Sequence, residues 1–87
     1  MSTVAKIRQQ LAELQPQRVE IADDSAQHAG HAGAAGGGGH YRLTIVSAMF
    51  AGLNTLKRHR LVHAALGTLM QHEIHALSIT ALTPEES

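Results

Sequence analysis

Between residues 41 and 82 the chain passes through an alternating stretch, a long helical repeat and a second alternating stretch, an order that leaves few folds open. Tyr41, Leu43 and Ile45 alternate with Arg42 and Thr44 up to Ser47, the period-two pattern of a half-buried strand. Leu56, Val62, Leu66, Leu69 and Met70 then recur at helical spacing behind Asn54, a suitable N-cap. Leu77, Ile79 and Ala81 alternate with Ser78 and Thr80 across residues 76–82, a third strand in the chain's order. A strand, a crossover helix and a strand in one sheet make the two strands parallel and the crossover right-handed in nearly all cases.

The earlier part of the chain supplies two more elements. Val4, Ile7, Leu11 and Leu14 repeat on one helical face, with Ser2 or Thr3 as N-cap and Pro16 as the stop. Val19 and Ile21 flank Glu20 in a short strand expected over residues 18–23. The order is therefore α-β-β-α-β, in a single domain of residues 1–87. Residues 24–39, with six glycines, five alanines and two histidines, read as a long Gly/His-rich loop between the first two strands. Structureless loops of that length are uncommon in compact domains, although a tolerated hairpin insertion would also account for it.

Composition narrows the chemistry. Hydrophobic residues make up 44%, but many are alanine, so the core must come from Leu, Ile and Val with Phe50 and Tyr41. There is no cysteine, which removes disulfides, thiolate nucleophiles and self-sufficient zinc or iron–sulfur sites. The same absence fits an intracellular chain. No secretory signal pattern or membrane-length apolar run is visible, and the expectation is a cytoplasmic protein without a membrane partner. Seven basic residues balance seven acidic ones, whereas dedicated nucleic-acid binders carry a basic excess. No nucleophile elbow or pair of carboxylates suited to acid–base work is present, so an enzyme is not expected.

Histidine placement carries the remaining signal. Parallel strands begin at one end of the sheet, so His75, just before the third strand, should lie near His40 at the start of the second. The Gly-rich loop arrives at that same edge with His28 and His31. Two imidazoles give half of a metal's coordination shell, and with no thiolate in the chain a partner must complete it. A 2Fe–2S cluster with histidines on one iron and sulfur on the other is one such arrangement. The bland alternative is two solvated loop histidines and a His75 that hydrogen-bonds a strand end.

Other constellations are weaker. His59 and His63 share a helix face, but no glutamate lies between them and Arg58 and Arg60 flank His59, so they read as a polar flank. Lys57, Arg58 and Arg60 form a basic knot at the helix start, open to phosphate or simply solvated. The strings Gly30–Gly33 and Gly33–Gly36 fall between strands, not between helices as in an RNA-clamping KH loop.

Taken together, several strings resemble the BolA family over nearly the whole chain. They are Asp23-Asp24-Ser25, His40-Tyr41 leading to Ile45-Val46-Ser47, Phe50 with Gly52, Arg58-His59-Arg60-Leu61-Val62, and Ile74-His75-Ala76-Leu77. The resemblance implies a class II KH-like α+β fold, with a three-stranded mixed sheet covered by helices. It implies a monothiol glutaredoxin as partner, sharing a 2Fe–2S cluster in which the glutaredoxin and glutathione supply sulfur. The isolated chain, a monomer or weak dimer, would hold no cluster stably. His75 is the expected ligand from this chain, with His28 from the loop as the second and His31 or His40 as substitutes. Some members of the family are described as transcriptional regulators of stress response and cell morphology. That sets a DNA-binding alternative using Lys57, Arg58 and Arg60.

Overall fold

Six elements, described by a computed structural model over residues 2–24 and 39–87, build one mixed sheet with helices on one face. They are α1 (Thr3–Leu11), β1 (Arg18–Asp23), β2 (Gly39–Val46), α2 (Thr55–Leu66), α3 (Leu69–His72) and β3 (Ile74–Leu82). The strand order is β1-β2-β3, with β1 antiparallel and β3 parallel to the central β2. This is the three-stranded α+β arrangement expected from the sequence, and it is compatible with a KH-like order. The stretch 25–38, with His28, His31 and the Gly-x-x-Gly strings, lies outside the described residues.

Local chemistry explains the element ends. The Ser2 side chain caps α1 by accepting from the Ala5 N–H at 3.1 Å, and Asn54 caps α2 by accepting from the Lys57 N–H at 2.9 Å. Each cap satisfies one of the orphan donors of a helix N-terminus. After α1, a single 3₁₀ turn, Ala12–Leu14, ends at Gln15 in the left-handed region, ahead of Pro16.

The core lies between the helices and one face of the sheet. Ile7, Leu11, Leu14, Leu43, Ile45, Phe50, Val62 and Leu66 are buried there, with Tyr41, Leu69 and Ile74 around them. Val19, Ile21, Leu77, Ile79 and Ala81 pack against it from the flanking strands. Ser47 is the one buried polar residue among those described; its hydroxyl donates to the Leu14 carbonyl at 2.7 Å and accepts from the Met49 N–H at 3.1 Å.

Four expectations are corrected. The helix carrying Leu56 to Met70 is broken at Gly67, which has a φ of 55° and ends α2, so Leu69 and Met70 sit in α3. Leu56 is not a core residue: it is 57% exposed. The buried line through Val62 and Leu66 runs back one turn to Arg58 and His59, which turns Leu56 outward. Strand β2 begins at Gly39, a residue read as loop, and ends before Ser47, which caps a 3₁₀ turn, Ala48–Phe50. Strand β3 begins at Ile74, two residues early, so His75 lies inside the strand rather than ahead of it.

Candidate functional site

The two outer strands approach the same end of β2. Gly39 faces Ile74, but His40 faces Ala76, so His75 is the extra residue of a bulge in β3. A bulge shifts the face on which later side chains emerge. Here it lets both Ile74 and Leu77 turn toward the core, while His75 and Ala76 stay exposed. The His75 ring then lies beside that of His40, with centroids 5.0 Å apart and planes inclined by 41°.

Next to this pair a shallow cavity of about 280 Å3 is lined by Asp24, His40, Arg42, Ala76 and Ser78, among others. Asp24 extends the β1–β2 ladder by donating its N–H to the His40 carbonyl at 2.8 Å. Its carboxylate is engaged with Arg42 at 2.6 Å, so the local acid is already matched by a cation. Among the described residues no group of three His, Cys, Asp or Glu side chains could hold a metal. Two imidazoles on one tetrahedral metal, at bond lengths of about 2.0–2.1 Å, place their centroids about 5 Å apart. A centroid separation of 5.0 Å is compatible with both rings meeting one ion, and equally with ordinary ring contact.

The basic knot separates on folding. Arg58 is largely buried at 14% side-chain exposure and is held by Glu86 at 2.6 Å. Its guanidinium also donates to the Leu53 carbonyl at 2.8 Å and the Ala81 carbonyl at 3.0 Å. The Glu86 carboxyl is lowered to about 2 from an ordinary 4.5, chiefly by the hydrogen bond from Arg58 and then by the Thr83 backbone N–H. Lys57 and Arg60 remain exposed on α2 and form no ion pair among the described residues. His63 is exposed and His59 half-buried. The Arg58–Glu86 clasp was not read from the sequence, although Thr83-Pro84-Glu85-Glu86 has the Thr-x-x-Glu spacing of a capping box, in which the glutamate reaches back to the threonine N–H.

A family model described as BolA-like protein matches residues 11–86. The chain belongs to the BolA family. Human BolA-like protein 1 is 45% identical over 83 residues, covering 94% of this chain and 58% of the relative. SufE-like protein 1 of Arabidopsis thaliana, chloroplastic/mitochondrial, is 45% identical over 87 residues, covering 93% of this chain and 24% of the relative. The solved BolA domain of Arabidopsis SufE1 superposes with a TM-score of 0.84 at 42% identity, covering 100% of this chain and 98% of that one. A Vibrio cholerae relative named DNA-binding transcriptional regulator BolA is 36% identical over 74 residues, 85% of this chain and 67% of the relative. The chain thus spans about a quarter of the length of the SufE-like relative and about three-fifths of that of human BolA-like protein 1. No described helix is long and apolar enough to cross a membrane.

Proposed function

We propose that this BolA-like chain is a non-enzymatic accessory protein in iron–sulfur cluster assembly, trafficking or iron sensing. It binds a monothiol glutaredoxin and shares with it a 2Fe–2S cluster as cargo. The observation that carries the reading is the exposed His75 beside His40 at the end of the sheet where the Gly/His-rich stretch leaves and returns. In a chain without cysteine, two imidazoles suit one iron, and sulfur must come from the partner and its glutathione. His75 is the first ligand. His28 is the second by family resemblance, and His40 and His31 are its competitors. A relative that carries a BolA domain within a protein named SufE-like supports the same setting.

The test is a titration of the chain into a glutathione-loaded monothiol glutaredoxin holding a 2Fe–2S cluster, followed by visible absorption and circular dichroism. A spectral change that saturates at one to one and is lost in His75→Ala is the expected result. An identical change with His75→Ala overturns the assignment.

A second reading, DNA binding through α2, has the name of the Vibrio cholerae relative in its favour. With Arg58 engaged by Glu86, it would rest on Lys57 and Arg60. It requires sequence-dependent binding that weakens steeply with salt as phosphate contacts release counterions; a weak, sequence-blind interaction removes it.

A further inference from the structure

The sheet has two edges, and they are treated differently. In β1 the residues Arg18, Glu20 and Asp23 are charged, and the outward Val19 carbonyl is taken by the Arg8 side chain at 3.0 Å. Charges and side-chain caps are ordinary protection against strand addition. Strand β3 has one such cap, at Ala81, but no charge along its length: its nine residues, Ile74–Leu82, include no Lys, Arg, Asp, Glu, Pro or Gly.

Backbone direction in β3 follows from two hydrogen bonds. The Leu82 carbonyl accepts from the Ser47 N–H at 2.9 Å, so Leu82, Thr80 and Ser78 turn their backbone groups toward β2. The Ala81 carbonyl accepts from Arg58 at 3.0 Å, so Ala81, Ile79 and Leu77 turn theirs outward. Apart from that Arg58 contact, the outward N–H and carbonyl groups of these three residues have no protein partner among the described residues. A groove of about 280 Å3 runs beside them, lined by Thr55, Arg58 and His59 of α2, by Ile79–Leu82 and, at the Ala81 end, by Glu86.

We propose that this edge pairs with the same edge of a second copy, antiparallel and about a two-fold axis at Ile79. Centring the pairing there matches every outward residue: Ile79 faces Ile79, and Leu77 of each copy faces Ala81 of the other. The Ala81 carbonyl keeps a second lone pair beside Arg58 for this. An isologous contact demands a self-complementary patch, and an uncharged strand sets no like charges against each other. Antiparallel alignment also brings the Glu85 end of one copy toward the His72–His75 end of the other. The product is a continuous six-stranded sheet with all helices on one face. The proposal depends on the edge alone and is independent of cluster binding.

Mass measurement by sedimentation or light scattering tests it, alongside backbone amide exchange. Wild-type chain should double in mass with rising concentration, while exchange at Leu77, Ile79 and Ala81 slows. Ser78 and Thr80 are exposed on the open sheet face, and the pairing sets Ser78 of one copy across from Thr80 of the other. Ser78→Lys/Thr80→Lys should therefore lose the doubling, as should Ser78→Glu/Thr80→Glu, and mixing the two should restore it. Circular dichroism confirms that each variant is folded; the glutamate pair, next to Arg42, serves alone if the lysine pair is not. A wild-type chain that remains monomeric into the submillimolar range overturns the proposal. So does a folded variant that dimerises as readily as wild type.

Discussion

Arg58 grips both carboxylate oxygens of Glu86, at 2.6 and 3.3 Å, and so ties the last residues of the chain to the first turn of α2 and the end of β3. A residue placed by its sequence neighbours in a basic patch is, in the folded chain, a clasp between three segments.

The clasp predicts a pH dependence. The Glu86 carboxyl is held at about 2, below its ordinary 4.5. A depressed acid contributes stability that is complete above its unfolded value and is lost as pH falls toward the folded one. Glu86→Gln should therefore melt below wild type at pH 7, with the gap closing between pH 4.5 and 2. Because the carboxylate is 45% exposed, solvent screening keeps the effect small. Arg58→Ala should cost more, about 1–3 kcal/mol, since the Leu53 and Ala81 carbonyls lose a charged donor as well. Urea titrations of the two variants at both pH values check the order.

Ser47 is fully buried between the Leu14 carbonyl and the Met49 N–H. Ser47→Ala leaves both without a partner, at a cost of about 1–3 kcal/mol. In a domain this small each kcal/mol lowers Tm by about 4–8 °C, a drop that a thermal melt resolves. Ser47→Thr keeps the hydroxyl and should recover part of it.

Gly39 sits where a Cβ would run into the buried Tyr41 ring. Gly39→Ala should destabilise the chain by about 1–3 kcal/mol through overpacking. The double variant Gly39→Ala/Tyr41→Leu removes the obstructing ring, and a smaller effect of the alanine in that background, read as a double-mutant cycle in urea, identifies the clash as the cause.

The second ligand can be assigned by comparing His28→Ala, His31→Ala and His40→Ala with His75→Ala in the mixed complex. His75→Ala should abolish the change in the cluster spectrum. Of the others, the one that matches its loss is the second ligand, and we expect His28. Loss in His40→Ala instead would make the contact at 5.0 Å the ligating pair.

The α-β-β-α-β order was legible because Tyr41–Ile45 and Leu77–Ala81 alternate cleanly and because Ser2 and Asn54 are strong caps. Parallel pairing, which follows from a crossover helix, was enough to place His40 near His75. The bulge was not legible, since an extra residue is defined only against its partner strand. The roles of Arg58 and Leu56 depend on which arc of α2 faces the sheet. The apolar spacing of Leu56 favoured one arc, whereas the arc that faces the sheet carries Arg58, paired with Glu86 of the tail, and leaves Leu56 exposed. Gly39 read as loop because glycine is a poor strand former, yet the Tyr41 ring leaves room for nothing larger.

His40 and His75 are brought together only when β3 docks parallel to β2, which closes a stretch of chain with the whole of α2 inside it. Long-range closure of this kind is entropically costly and slow. A metal centre that ligates both side chains would hold that closure shut, and by mass action would stabilise the native state. Loading would then be reported by the protein's resistance to unfolding as well as by its colour, with the release of β3 as the motion that the bound cargo restrains.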